Sequence, residues 1–309
     1  MRVLVTGGAG FIGANLCRRL AADGHEVVAL DDLSTGNPEN LDGTAAAVVE
    51  GSVLDADLVD RLVGDAERVV HLAARPSVPR SLADPVATHE ANATGTLRVL
   101  EAGRAHAVPL VVASSSSVYG DTEVSPKHEG LPVAPRSPYA ASKLAAEGYA
   151  LAHQAAFGVP VLVLRFFNVY GPLQAPDHDY AAVVPRFVAA GLADRPLEVH
   201  GDGHQSRDFT FVGTVVEVLA RAVTEATTAP GPVNLAFGTR TDLLGLIGRL
   251  EVVLGRSLEV DHAAPRAGDV RHSTADGTRL QALFPGVEPV DLDTGLAATV
   301  SWFRAREST

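Results

Sequence analysis

Three glycines, Gly7, Gly10 and Gly13, stand at the spacing G-x-x-G-x-x-G inside RVLVTGGAGFIG. An apolar run, Arg2–Thr6, leads into them, and a helical pattern, Phe11–Ala22, leads out. Few folds use that arrangement. Gly7 permits a tight turn, Gly10 lets the backbone approach a pyrophosphate, and Gly13 lets the helix pack close on the strand. The N–H groups of Phe11 and Ile12 then open the helix, where an anion is favoured. The next apolar run, Glu26–Asp31, ends in a carboxylate. Asp31 can accept hydrogen bonds from ribose hydroxyls and repels a 2′-phosphate, so the pattern predicts NAD rather than NADP. Asp32 can share that role or cap the loop.

The rest of the chain supports the same architecture. Runs at Arg68–Leu72, Leu110–Ser114 and Val161–Phe166 alternate with helical patterns at Ser81–Ala105 and Pro138–Phe157. This predicts an α/β fold of the Rossmann type, a doubly wound parallel sheet with helices on both faces. After about Gly171 the rhythm loosens and prolines punctuate shorter elements, as expected of a smaller, mixed α/β carboxy-terminal lobe. Of the 309 residues 46% are hydrophobic, enough for a large core, and the formal net charge of -12 argues against a nucleic-acid surface. The single cysteine, Cys17, excludes an internal disulfide and fits a reducing, cytoplasmic compartment. No apolar run reaches the roughly 18 residues of a membrane span. No histidine–carboxylate spacing of a metal site is present, and no metal is expected.

SPYAASK, residues 137–143, places Tyr139 and Lys143 at i and i+4, on one face of a predicted helix. Ser115 ends a preceding strand, at the carboxyl edge where open α/β sheets bind ligands. A phenol is a weak base near neutrality, with a reference pKa of about 10. A neighbouring ammonium and a cationic nicotinamide both favour tyrosinate, which makes Tyr139 a candidate general base toward a sugar hydroxyl, with Ser115 bonded to the same hydroxyl. The alternative, an exposed Tyr–Lys pair after a serine-rich loop, loses its appeal behind a glycine-rich dinucleotide turn.

With these residues in view the chain resembles the extended short-chain dehydrogenase/reductase family, in its nucleotide-sugar epimerase/dehydratase branch. The resemblance runs over nearly the whole chain. It is carried by TGGAGFIG, HLAA (71–74), NATGT (92–96), SSSSVYGD (114–121), SPYAASK, RFFNVYGP (165–172), GDGHQSRDF (201–209) and PRAGDVRHS (265–273). It implies a dinucleotide domain over 1–169, partly rejoined by 209–240, and a nucleotide-sugar lobe over 170–309. It also implies that Ser52, Val53, Leu72, Ala73, Ala74, Asn92 and Phe166 border the cofactor. Ser52 stands where relatives carry an aspartate toward the adenine. Helices 81–105 and 138–157 form a dimer's four-helix bundle in the family, so a homodimer is expected, although the sheet can equally cover their apolar stripes.

Within this branch the residues after Ser115 separate the reactions. 4,6-Dehydratases carry Asp-Glu there, and decarboxylases commonly a Glu at the second position. This chain has Ser116 and Ser117. Without a second proton-transfer pair, the reaction implied is 4-epimerisation. Tyr139 takes the 4′-hydroxyl proton, hydride passes to the nicotinamide, and it returns to the opposite face of a 4-keto sugar. A dehydratase or a uronic-acid 4-epimerase uses the same intermediate and remains the alternative; a non-catalytic NAD sensor is a more distant one. By resemblance, Arg207 and Arg266 fork onto the diphosphate, with surface ion pairs to Asp208 or Asp269 as the other reading. Asn168 and Gln205 join them. Ser77, Val78, Val183, Val184, Val199, His200 and Asp269 fall on further substrate-binding segments, His200 as a residue to stack on uracil. Arg75 is expected to touch a phosphate or to pair with Asp84. Ser273 falls where a bulky Tyr limits room near the sugar C2. A serine there admits an N-acetyl group, which points to UDP-GlcNAc and UDP-GalNAc beside UDP-glucose and UDP-galactose.

Overall fold

The computed structural model describes residues 1–176, 182–264 and 271–307. Six strands alternate with helices through the first half: β1 (Arg2–Thr6), β2 (Glu26–Asp31), β3 (Ala47–Glu50), β4 (Arg68–His71), β5 (Leu110–Ser115) and β6 (Val161–Phe166). A seventh strand, Val233–Leu235, arrives from much later in the chain and pairs with β6. The order across the sheet is Val233–Leu235, β6, β5, β4, β1, β2, β3, and every pairing is parallel. From β1 the chain winds one way through β2 and β3, then returns to continue from β4 on the other side. The switch point therefore lies between β1 and β4, and a crevice opens outside their carboxyl ends.

Strand side chains alternate between two cores. Val3 and Val5 of β1, with Leu162 and Leu164 of β6, pack beneath helices Phe11–Ala22 and Val212–Thr224. Leu4, Val161 and Val163 face the opposite way, against Ala56–Gly64, Gly95–His106 and Pro138–Phe157. Burial on both faces explains why these strands read as continuous apolar runs.

One expected element is broken. The pattern over Ser81–Ala105 divides into Val78–Ala83, Pro85–His89, a π-helical turn Glu90–Thr94, and Gly95–His106. Pro85 disfavours helical backbone at the residue before it. Asp84 accordingly leaves the helix at φ -146° and caps the next one, accepting the Ala87 N–H at 3.0 Å. Two elements had no clear signal: β3, an edge strand whose side chains are mostly exposed, and helix Ala56–Gly64.

Beyond Tyr170 the strands are short. Leu197–His200 pairs with Val260–Ala263, and Ser206–Arg207 lies between Thr241–Asp242 and His272–Ser273. Phe187, Val188, Leu197, Val199, Leu246 and Phe303 form a separate core there. No described helix is long and apolar enough to cross a membrane.

Candidate active site

The glycine turn is built as tightly as its spacing implies. Gly7 has φ +70° and donates its N–H to Leu30 O of β2 at 2.8 Å. A Cβ on Gly7 would lie 2.8 Å from Ala73 N, and one on Gly13 only 2.0 Å from Gly7 O. On Gly10 it would meet nothing nearer than Gly7 O at 3.2 Å, so that position is open toward the crevice. No side chain caps helix Phe11–Ala22. Its first-turn N–H groups are thus available to an anion. Asp31 closes the turn: Oδ2 accepts the Ala9 N–H at 3.0 Å and Oδ1 the Leu33 N–H at 2.9 Å. Burial pushes its carboxyl above the ordinary range, and those two N–H groups pull it back. Asp32 accepts from the Ser34 hydroxyl at 2.6 Å.

A cavity of about 970 Å³ occupies the crevice at the switch point. The turn lines it through Gly7, Gly10, Phe11, Ile12 and Gly13, with Asp31, Asp32, Ser52 and Val53 from the next two strands. Leu72, Ala73 and Ala74 follow from the end of β4, and Ser115, Tyr139, Lys143 and Phe166 complete it. Ser34, Thr35 and Arg80 also line it and were not anticipated. Ser34 and Thr35 follow β2 in a loop at the carboxyl edge of the sheet, which is the signal that would have found them, whereas Arg80 sits inside helix Val78–Ala83. Ser52 accepts the Leu54 N–H at 3.1 Å. Asn92 lies behind the wall rather than in it. It accepts the Arg75 N–H at 2.6 Å and donates to Arg75 O at 3.2 Å and Ser142 Oγ at 2.9 Å, holding the 75–76 loop against helix Pro138–Phe157. Arg75 pairs with Asp84 at 3.6 Å.

The reacting groups meet where β5 ends. The Tyr139 phenol lies beside the Ser115 side chain. Ser115 Oγ accepts from the Ser117 N–H at 3.2 Å and the Ser117 hydroxyl at 2.9 Å. Burial pushes the Tyr139 phenol up, and the neighbouring Ser115 hydroxyl pulls it part of the way down. Lys143 is bonded to the neighbouring strand. Its Nζ donates to Ala113 O of β5 at 3.0 Å, and burial lowers it to about 8. The carbonyl therefore takes one of the ammonium's three donors. Beneath them His71 bridges Thr6 Oγ1 at 2.7 Å and Thr96 Oγ1 at 2.9 Å. Burial drops it to about 3, so it is neutral at pH 7.

Among the described residues, the others expected to bind substrate do not line this cavity. Ser77 starts a helix at φ 92°, and Val78 follows it, exposed. Ser116 and Ser117 form a 3₁₀ turn after Ser115. Val183 and Val184 open helix Val183–Leu192; Val184 and Val199 are buried in the lobe's core. Asn168 Nδ2 donates to Asp208 O at 3.4 Å, and Gln205 Nε2 to His200 O at 2.7 Å. His200 is held by Glu198 at 2.7 Å and Ala264 O at 3.0 Å. Arg207 and Ser273 are neighbours in register on adjacent strands. Asp208 is fully buried and accepts from Gly238 N, Thr239 Oγ1 and Ala275 N at 3.0, 2.9 and 3.1 Å, which commits it to the lobe's backbone. Arg207 instead sends Nη1 to Ser206 O at 2.9 Å. Arg266 and Asp269 lie outside the described residues.

This geometry has close relatives. Residues 3–236 match the model of the NAD dependent epimerase/dehydratase family. The chain belongs to that family. A "UDP-glucose 4-epimerase" of Mycolicibacterium smegmatis is 41% identical over 98% of this chain and 99% of its own. The structure of a UDP-N-acetylglucosamine 4-epimerase from Methanobrevibacter ruminantium, in complex with UDP-N-acetylmuramic acid, superposes with a TM-score of 0.93 at 33% identity, covering 99% and 98% of the two chains. That of a Thermus thermophilus UDP-glucose 4-epimerase in complex with NAD gives 0.88 at 36% identity, covering 98% and 99%. NAD is the cofactor of this epimerase/dehydratase chain. The uncapped helix, the glycines that leave no room for a Cβ, and the carboxylate of Asp31 at the cavity fit it.

Proposed function

We propose that this chain is a nucleotide-sugar 4-epimerase, with Ser115, Tyr139 and Lys143 as its catalytic residues. The observation that carries the reading is that Ser115, Tyr139 and Lys143 line the same cavity as the glycine turn, with Ser116 and Ser117 following where a dehydratase needs an acid and a base. Bound NAD supplies the hydride acceptor. Ser115 and Tyr139 hold the sugar 4′-hydroxyl between them. Tyr139 accepts its proton as the C4–H bond breaks, leaving a 4-keto sugar, and returns the proton to the oxygen after the sugar has turned over. No net redox change occurs. Lys143 anchors the helix end to β5 and faces the cofactor cavity.

In this reading residues 1–169 bind the cofactor, with part of 209–240 joined to them, and 170–309 bind the nucleotide sugar. Arg207 and Arg266 take the diphosphate, since guanidinium forks match phosphate oxygens. The buried Ser273 beside Arg207 leaves room for an N-acetyl group, so the substrates are UDP-GlcNAc and UDP-GalNAc as well as UDP-glucose. The enzyme works in the cytoplasm as a homodimer. Exposed Leu82, Val86, Tyr149 and Phe157 on the helices near 78–89 and 138–157 supply an apolar face.

Proton NMR of the purified protein with UDP-GlcNAc and no added cofactor tests this. New anomeric signals of UDP-GalNAc are expected. Olefinic or 4-keto-6-deoxy signals instead would make the chain a dehydratase. Ser273→Tyr is expected to lower kcat/KM for UDP-GlcNAc at least about tenfold more than for UDP-glucose, within the range steric discrimination reaches. Equal losses on both would remove Ser273 as the gate.

A further inference from the structure

Directly behind the reacting groups lies a buried polar network that the reaction described above does not use. The side chains of Glu147 and Arg165 are 4% and 3% exposed. They meet as a fork: Arg165 Nη2 donates to Glu147 Oε1 at 2.5 Å and Nε to Oε2 at 2.9 Å. Ser114 Oγ donates to the same Oε2 at 2.7 Å. The Arg165 guanidinium lies 4.6 Å from the centre of the Tyr119 ring. The Tyr119 hydroxyl in turn donates to Asn234 Oδ1 of the seventh strand at 2.7 Å.

The place of each residue in the chain matters more than the pair itself. Ser114 and Arg165 are register partners across β5 and β6. Each immediately precedes a cavity-lining residue, Ser115 and Phe166. Glu147 lies one helical turn beyond Lys143 and two beyond Tyr139, so all three share a face of helix Pro138–Phe157. One carboxylate therefore ties together the three elements that bring Ser115, Phe166 and the Tyr139–Lys143 pair to the cavity. Apolar packing would hold this helix on the sheet equally well, because replacing a buried ion pair by apolar groups of the same volume is often neutral or stabilising. Apolar packing is non-directional, however, and tolerates sliding along the strands. A bidentate fork sets both distance and direction.

We propose that Glu147, Arg165 and Ser114 are positioning residues: they lock the helix against the ends of β5 and β6 so that the Tyr139 phenol meets Ser115 Oγ. The turnover part of this proposal rests on the epimerase reading; the geometric part does not. Two variants test it, Ser114→Ala and the volume-conserving pair Glu147→Leu with Arg165→Met. Each is assayed for NAD content, thermal midpoint, KM and kcat. The phenol of Tyr139 is also titrated by ultraviolet difference against the same variant carrying Tyr139→Phe. Beside that phenol stands Ser115 from β5, the group that pulls it down, while Lys143, one turn on in the same helix, has its Nζ on Ala113 O.

The double variant is expected to fold and retain NAD, with KM unchanged, kcat lowered about 10- to 100-fold, as for a reacting group displaced by roughly an ångström, and Tyr139 titrating at higher pH. Ser114→Ala is expected to follow in the same direction by a smaller factor. A folded double variant with wild-type kcat and an unmoved Tyr139 titration overturns the proposal, since a purely structural pair would leave both alone. If the double variant does not fold, Ser114→Ala decides by the same two readouts. Should the wild-type protein show no epimerisation, the reading of the reaction falls, while the Tyr139 titration, which needs no turnover, still decides the positioning claim.

Discussion

Tyr139→Phe lowers kcat by about 10²–10⁴-fold, the range for loss of a general acid–base group, while NAD remains bound. The change removes one oxygen and keeps the ring, so helix Pro138–Phe157 and the cavity wall stay in place. It deletes the only phenol lining the cavity among the described residues, the one that lies beside Ser115. Ser115 alone is a poor substitute, because its Oγ already accepts from the Ser117 N–H and hydroxyl. Burial holds the Tyr139 phenol above its ordinary value before substrate arrives. Turnover should therefore rise with pH as the phenolate forms, and the variant's residual activity should lose that dependence. Stopped assays of both proteins across pH, with cofactor content measured on the same samples, check this. Near-wild-type turnover in the variant would remove Tyr139 from the reaction.

Gly13→Ala abolishes cofactor retention and destabilises the fold by about 3 kcal/mol or more, at or beyond the upper end for overpacking. The added Cβ would sit 2.0 Å from Gly7 O and 2.8 Å from Gly8 Cα. Both neighbours are backbone, and Gly7 is itself fixed by its N–H bond to Leu30 O at 2.8 Å. No side chain can rotate away, so the turn must open and the helix N-terminus must leave its place under the pyrophosphate. Gly248→Ala is the control. A Cβ there meets nothing within 4 Å, and the site is inside helix Leu243–Leu254. That change is expected to be neutral or to stabilise by up to about 1 kcal/mol through helix propensity. Thermal unfolding and the absorbance of released NAD separate the two. Equal behaviour would mean that the close approach at Gly13 is not needed.

The first domain was legible because its signals are local. A glycine spacing, a carboxylate at the end of β2 and a Tyr–Lys pair one helical turn apart each need only a few residues to be read, and fifteen of the expected cofactor residues line one cavity. Asn92 differs because its work is to bond a loop and a helix that are distant in sequence, which no local pattern announces. The helix break at Asp84–Pro85 was visible in principle, since proline restrains its predecessor. The apolar periodicity on both sides of it hid the break. The carboxy-terminal lobe was read mainly by resemblance, because its strands are two to four residues long and carry little periodicity of their own.

From the sequence alone came the parallel α/β sheet, the dinucleotide turn, the family and the bringing together of Ser115, Tyr139 and Lys143 at one cavity. All of these rest on contacts between near neighbours or on runs long enough to show a period. Tertiary structure decided what those groups experience. It turned the Lys143 ammonium onto Ala113 O and set the Tyr139 phenol beside Ser115. It committed Asp208 to the backbone instead of to Arg207. It also gathered Ser114, Glu147 and Arg165, scattered over fifty residues, around one buried carboxylate. Burial and long-range hydrogen bonds set the charge and direction of each group, and neither exists until the strands and helices have met.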